Sequence, residues 1–346
     1  MALAHFNNDD HIDLFRFTRD GFRIHVYFGI NDEIFEEEAR YFTREREDWV
    51  NYIALGDFNN DNYTDISYTE SHMSNLVIYM GNGVGSFESP VMYPITNFTC
   101  PTALAIGHLN NDIYADIAVI NYHTERLSIF FGLGNGKFAP EEHLATKRLT
   151  FSRSIVLTDI NNDSIDDIVV SNSDNNTISV FINRGDGKFH DEKVSYLLTE
   201  YSAEHIALGD LNDDNEVDIV ISYEFKNMLT ISFGNGSGYF NQMNHLYLQH
   251  SSDILAFKLC DLNSDYYLDI LIVQSKPYTF TILYGYGDGH FYHEKIFSLE
   301  YDVSMAWIDV AYINKDSCKD IVLLDGKTRN ARIFINKCLC FHNKTI

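Results

Sequence analysis

A nine-residue pattern, Asp-x-Asn-x-Asp-x-x-x-Asp, returns seven times along this chain, each time followed by a short apolar run. Its first position falls at His5, Asp57, His108, Asp159, Asp210, Asp261 and Tyr312, spaced 52 residues once and 51 residues five times. So regular a period constrains the fold more than composition can, because each unit must stack on its neighbours to bury a core.

Two further landmarks keep the same phase. An aromatic residue stands thirty positions after each pattern start (Phe35, Phe87, Phe138, Phe189, Phe240, Phe291), slipping only in the last repeat, to Phe341. Twenty-four positions after each start stands Gly29, Gly81, Gly132, Asn183, Gly234, Gly285 or Asn336. A position restricted to Gly and Asn suggests a left-handed backbone, which those residues tolerate best.

Repeat four shows what one unit builds. Ser154–Thr158 reads as a short apolar strand entering the loop at Asp159, and Asp167–Ser171 as a β-branched strand leaving it. After a polar turn, Thr177–Ile182 alternates apolar and polar, and a Gly-containing turn leads to a fourth strand opening at Lys188–His190. Four-stranded antiparallel sheets repeated roughly four to eight times make a β-propeller. The sequence therefore predicts an all-β fold: a single seven-bladed β-propeller domain over 1–346, with blades starting near 1, 53, 104, 155, 206, 257 and 308. The 22 Tyr and 25 Phe agree with strands, and no helical periodicity competes.

The pattern itself has the donors of a cation site. In Asp57, Asn59, Asp61 and Asp65, oxygen-bearing side chains recur so that they can face one centre, and the Tyr63 carbonyl can join them. The same holds for Asp159, Asn161, Asp163, Ile165 and Asp167, and for Asp261, Asn263, Asp265, Tyr267 and Asp269. In Asp210, Asn212, Asp214 and Asp218 the carbonyl comes from Glu216 or Val217. Six or more hard oxygen donors suit Ca²⁺, whereas zinc or copper would call for imidazole or thiolate. Asp and Asn also simply favour turns. That explains one loop, but not three carboxylates converging in four. The expectation is about four structural Ca²⁺ sites. His5 and His108 replace the first Asp in repeats one and three, and Tyr312 does so in repeat seven beside Lys315, so those loops are expected to bind weakly or not at all.

These residues resemble the FG-GAP/VCBS repeat family, which includes the integrin α-subunit propeller. The resemblance covers essentially the whole chain and rests on Phe131-Gly132, Asn135-Gly136-Lys137-Phe138-Ala139-Pro140 and the Asp-rich loops. It implies Ca²⁺ held between the first two strands of a blade on the lower face, with ligands taken on the upper face. The family favours Gly at loop position six. Asn62 and Asn215 suit that turn, but Ser164 and Tyr266 suit it less, so weaker binding is expected at the Asp159 and Asp261 loops.

Other motifs yield to the repeat. Arg184-Gly185-Asp186 spells an adhesion tripeptide, yet it occupies the turn position of Gly134-Asn135-Gly136 and Gly287-Asp288-Gly289. The stretches at His190–Lys193 and His293–Lys295 look catalytic alone, but their lysines lie two periods apart, at one structural position. No nucleophile–base set stands out, so no enzymatic activity is expected. Among the five cysteines, Cys338 or Cys340 could pair with Cys318 in an oxidising compartment, with free thiols the equal alternative.

The net charge of −25 disfavours nucleic acid and anionic membranes, and no apolar run approaches the ~20 residues of a membrane span. The chain start does not resemble a secretory signal, so an extracellular location implies a fragment or processed form. Basic residues concentrate in the turns assigned to the upper face, among them Arg44, Arg46, Arg126, Arg148, Arg153, Lys226 and Arg329, with Trp49 nearby. Arg beside aromatics is the composition of binding hot spots. The expected function is a calcium-stabilised extracellular recognition or adhesion module whose ligand is a protein, acidic in character, or a glycan. The alternatives are a lectin-like multivalent propeller and the accessory propeller of a larger secreted enzyme.

Overall fold

The computed structural model describes residues 2–18, 23–31, 34–42, 50–96, 100–122, 124, 126–146, 152–197, 201–248, 253–275, 278–299, 306–314, 316–325, 331–337 and 341–345. Its 28 strands form seven four-stranded antiparallel sheets, each built from one contiguous segment with strands paired in sequence order. This is a seven-bladed β-propeller, and no described residue is helical. Two compact units divide the chain. One comprises Met1–Phe28, Glu36–Ser202 and Ser237–Tyr239; the other comprises Gly29–Phe35, Ala203–Gly236 and Phe240–Ile346.

Blade four pairs Ser152–Thr158 with Asp167–Asn172, then Thr177–Phe181, then Lys193–Tyr196. The β-branched residues predicted to be strand are strand, with Ile155 opposite Val170 and Val169 opposite Val180. The fourth strand starts later than its sequence suggests. Phe189 makes only an isolated bridge to Asn183, and regular pairing begins at Lys193. In the next two blades the aromatic landmark itself opens the strand, at Phe240 and Phe291.

The second strand of blade three is sandwiched. Asp116–Asn121 is buried throughout, and its alternate side chains pack in opposite directions. Ile117 and Val119 join Leu76 and Ile78, whereas Ala118 and Ile120 join Ile168 and Val170. A strand with neighbours on both faces needs apolar side chains at odd and even positions alike. That is why these segments read as continuous apolar runs rather than alternations.

The Gly/Asn landmark is explained differently from its sequence expectation. None of Gly81, Gly132, Gly234, Gly285, Asn183 and Asn336 has a positive φ. The constraint is instead a close approach: a Cβ at Gly132 would stand 2.3 Å from the Ala115 carbonyl oxygen. Where Asn replaces Gly, its amide turns the crowding into bonding, and Asn183 Nδ2 donates to the carbonyls of Asp166 and Leu109, each at 2.9 Å.

Candidate cation loops

Each Asp loop joins the first and second strands of its blade, and its last residue opens the second strand. In blade two, the Asp57 carboxylate accepts the N–H groups of Asp61 (3.2 Å) and Asn62 (2.8 Å). Asp61 accepts from Tyr63 N (2.8 Å) and from the Asn59 amide (2.8 Å). The loops at Asp159, Asp210 and Asp261 repeat the pattern. Position six is left-handed in all four: Asn62 (φ 65°), Ser164 (69°), Asn215 (65°) and Tyr266 (74°).

The ninth-position aspartates are fully buried: Asp13, Asp65, Asp116, Asp167, Asp218, Asp269 and Asp320. Each accepts the N–H of loop position two, as Asp65 does from Phe58 at 2.8 Å. In blades two to seven its other oxygen accepts the N–H of the Gly/Asn landmark, as Asp65 does from Gly81 at 2.7 Å. This residue staples the loop to the end of the third strand, a role beyond the ligand role read from spacing. Burial pushes the Asp65 carboxyl up to about 6, against the pull of those two N–H groups, and the charges of Asp61 and Asp57 push it further. Asp167 and Asp218 are likewise raised to about 6, and Asp269 to about 7, with burial the leading cause.

Position two is a feature that the sequence pattern left blank. Phe6, Phe58, Leu109, Ile160, Leu211, Leu262 and Ile313 are all buried. Their invariant bulk was the available signal. Several tie one blade to the next: Phe58 meets Phe138 edge-on at 5.4 Å, and its carbonyl accepts the Gly136 N–H at 3.1 Å.

The donor set of these loops is all hard oxygen, it carries three carboxylates, and each oxygen of the ninth aspartate retains a lone pair beyond its one N–H bond. Asp57 is half-buried and Asp61 exposed, so solvent reaches the loop. These residues fit Ca²⁺. Among the described residues, no three His, Cys, Asp or Glu side chains already stand in a metal-holding group. An arriving ion would have to draw Asp61 away from the Asn59 amide. The position-seven carbonyl of blade five belongs to Glu216, whose N–H bonds Asp214 as Tyr63 bonds Asp61. Val217 is not a loop donor, because its carbonyl lies against Gly234.

The basic face is less coherent than its sequence reading. Arg153 lies within the first strand of blade four and Arg126 begins the third strand of blade three, both half-buried. Register shifts such as that between Ser152 and Ser154 carry the strands further than alternation suggested. Lys226 occupies a turn. Arg44, Arg46, Trp49, Arg148 and Arg329 lie outside the described residues. The Arg184–Asp186 tripeptide is a hairpin turn, closed by Arg184 N bonding the Lys188 carbonyl at 2.8 Å. Lys193, from the apparently catalytic stretch, bonds the Ser237 carbonyl and covers the Tyr239 ring.

Residues 108–170 and 159–221 each match the FG-GAP-like repeat. Both matches run from one loop through the next, and the bond from loop position two to the ninth-position aspartate recurs in all seven blades. The chain is a β-propeller in which residues 108–221 match FG-GAP-like repeats. No curated protein matches it in sequence. Among solved structures, this FG-GAP-like propeller is similar to an Agrocybe aegerita lectin recognising non-reducing terminal N-acetylglucosamine (15% identity, TM-score 0.64, 88% of this chain and 81% of that one). It is similar to BBS1N in complex with ARL6DN (13%, 0.69, 96% and 90%). It is also similar to virginiamycin B lyase from Staphylococcus aureus (12%, 0.59, 86% and 84%). A sugar binder, a protein binder and a lyase at such low identity establish the fold alone.

Proposed function

We propose that this FG-GAP-like propeller is a calcium-stabilised extracellular recognition or adhesion module. The observation that carries the reading is the recurrence, in four blades, of one hydrogen-bonded loop that brings three aspartates and an asparagine together, with the last aspartate fully buried. Crowded carboxylates resist ionisation unless a cation joins them. Asp57, Asn59, Asp61, Asp65 and the Tyr63 carbonyl would hold the ion in blade two, with their counterparts in blades four, five and six. The ion would fix the loop between two strands and leave chemistry to no residue of the chain. A disulfide at Cys318 supports an oxidising compartment, where such loops meet millimolar calcium.

Recognition is assigned to the blade ends opposite the loops, where Arg126 and Arg153 stand. The partner proposed is an acidic protein segment or an anionic glycan. Poly-glutamate and heparin, immobilised and probed in calcium, test this directly. Capture by either, weakened ten-fold or more by Arg126→Glu with Arg153→Glu, is expected. Equal capture by the charge-reversed chain would contradict it.

A lectin-like reading has its own observation: Tyr286 and Tyr292 stack at 4.1 Å with Tyr286 half-exposed, a surface suited to a sugar ring. The positions equivalent to Tyr286 are Asn82, Leu133, Arg184 and Asn235, so the platform does not repeat from blade to blade.

A further inference from the structure

Blades one and three begin their loops with His5 and His108 in place of Asp, and the difference is a change from hydrogen-bond acceptor to donor. Asp57, Asp159, Asp210 and Asp261 each accept the N–H of position six, at 2.6 to 2.9 Å. That bond accompanies the left-handed backbone of position six in every case. The equivalent residues of the histidine loops, Asp10 and Ile113, are not left-handed, nor is Ser317 in the loop headed by Tyr312. With no acceptor at position one, position six keeps the ordinary hand, which a β-branched residue such as Ile113 requires.

The imidazoles instead reach across the loop. His5 Nδ1 lies 2.8 Å from the His11 carbonyl oxygen, and His108 Nδ1 lies 3.1 Å from that of Tyr114. A carbonyl only accepts, so Nδ1 must carry the proton in both rings. These carbonyls stand at position seven, where the other loops offer theirs to an ion. At positions one, five and nine the histidine loops also hold two carboxylates, Asp9 with Asp13 and Asp112 with Asp116, rather than three.

We propose that His5 and His108 stand in for the cation: each donates Nδ1–H to the position-seven carbonyl and closes its loop with no ion bound. Position one thereby selects, blade by blade, between an ion and an imidazole. The selection rests on the calcium reading of the Asp loops. The imidazole bond does not.

Two measurements on the full chain test it. Long-range ¹H–¹⁵N correlation reads the tautomers of His5 and His108, and calcium titration reads stoichiometry in the native chain and in His108→Asp with Ile113→Asn. The proposal expects Nδ1–H at both histidines, four ions in the native chain and five in the double variant. The exposed Ile113 makes that variant a mild one for folding. Asp159→His is expected to bind three ions and to melt, in chelator, no lower than the native chain. Four native ions with an Nε2–H tautomer, or with no fifth ion in the double variant, would overturn the proposal alone. A native chain that binds no calcium would overturn the cation reading, and the stand-in role with it.

Discussion

At the scale of the residue, one sequence position serves two roles that can be separated. Asp167 accepts the N–H groups of Ile160 (3.0 Å) and Asn183 (2.7 Å) from a fully buried site. Removing it strands two buried donors, and each costs about 1–3 kcal/mol. Asp167→Ala should therefore lose about 3 kcal/mol or more in chelator, measured by denaturant unfolding. Asp159→Ala, at a half-buried position, should lose only about 1 kcal/mol in chelator yet abolish calcium binding at that loop. Equal losses would show that the two aspartates do the same work. The Gly/Asn landmark gives a second contrast. Gly132→Ala drives a methyl into the Ala115 carbonyl and should cost about 1–3 kcal/mol. Gly132→Asn should recover part of that loss, because its amide can bond the same carbonyl as Asn183 bonds that of Asp166. Tyr266 is a third case. It is 95% exposed at φ 74°, so Tyr266→Asn gives up little packing and should stabilise the chain by about 1 kcal/mol.

At the scale of the element, a blade is fastened to its neighbour by the loop of one and the hairpin turn of the other. Phe58 and Phe138 carry this contact between blades two and three, where a double-mutant cycle to Leu should give a coupling of about 0.5–1.5 kcal/mol. Strict additivity would place the fastening elsewhere. Much of this level was legible in the sequence. The period set the blade count, the β-branched runs set the second and third strands, and the Gly-rich turns set the hairpins. What escaped depended on contacts between repeats. The Gly/Asn position looked like a turn because its carbonyl neighbour lies 17 residues away. The late start of the fourth strand at Lys193 was hidden because Phe189 serves packing rather than pairing. Val217 was offered as a donor beside Glu216 because spacing alone does not say which carbonyl faces inward.

At the scale of the whole molecule, the loops make the period meaningful for function as well as fold. Twelve of the 50 acidic residues stand at positions one, five and nine of the four Asp-headed loops, so a large share of the −25 charge is placed where an ion can neutralise it. Similar propellers include a sugar-binding lectin, a protein complex and a lyase, so the fold by itself assigns neither ligand nor chemistry. The proposed role therefore depends on the cation. Thermal unfolding of the full chain in millimolar Ca²⁺, in Mg²⁺ and in chelator tests it most directly. At ~100-fold excess over the dissociation constant, each occupied loop adds about 2.7 kcal/mol. Calcium, unlike magnesium, should raise Tm by a large margin, and the rise should be lost stepwise as Asp57, Asp159, Asp210 and Asp261 are changed to Ala. The same Tm in all three solutions would contradict it and leave the Asp loops as turns.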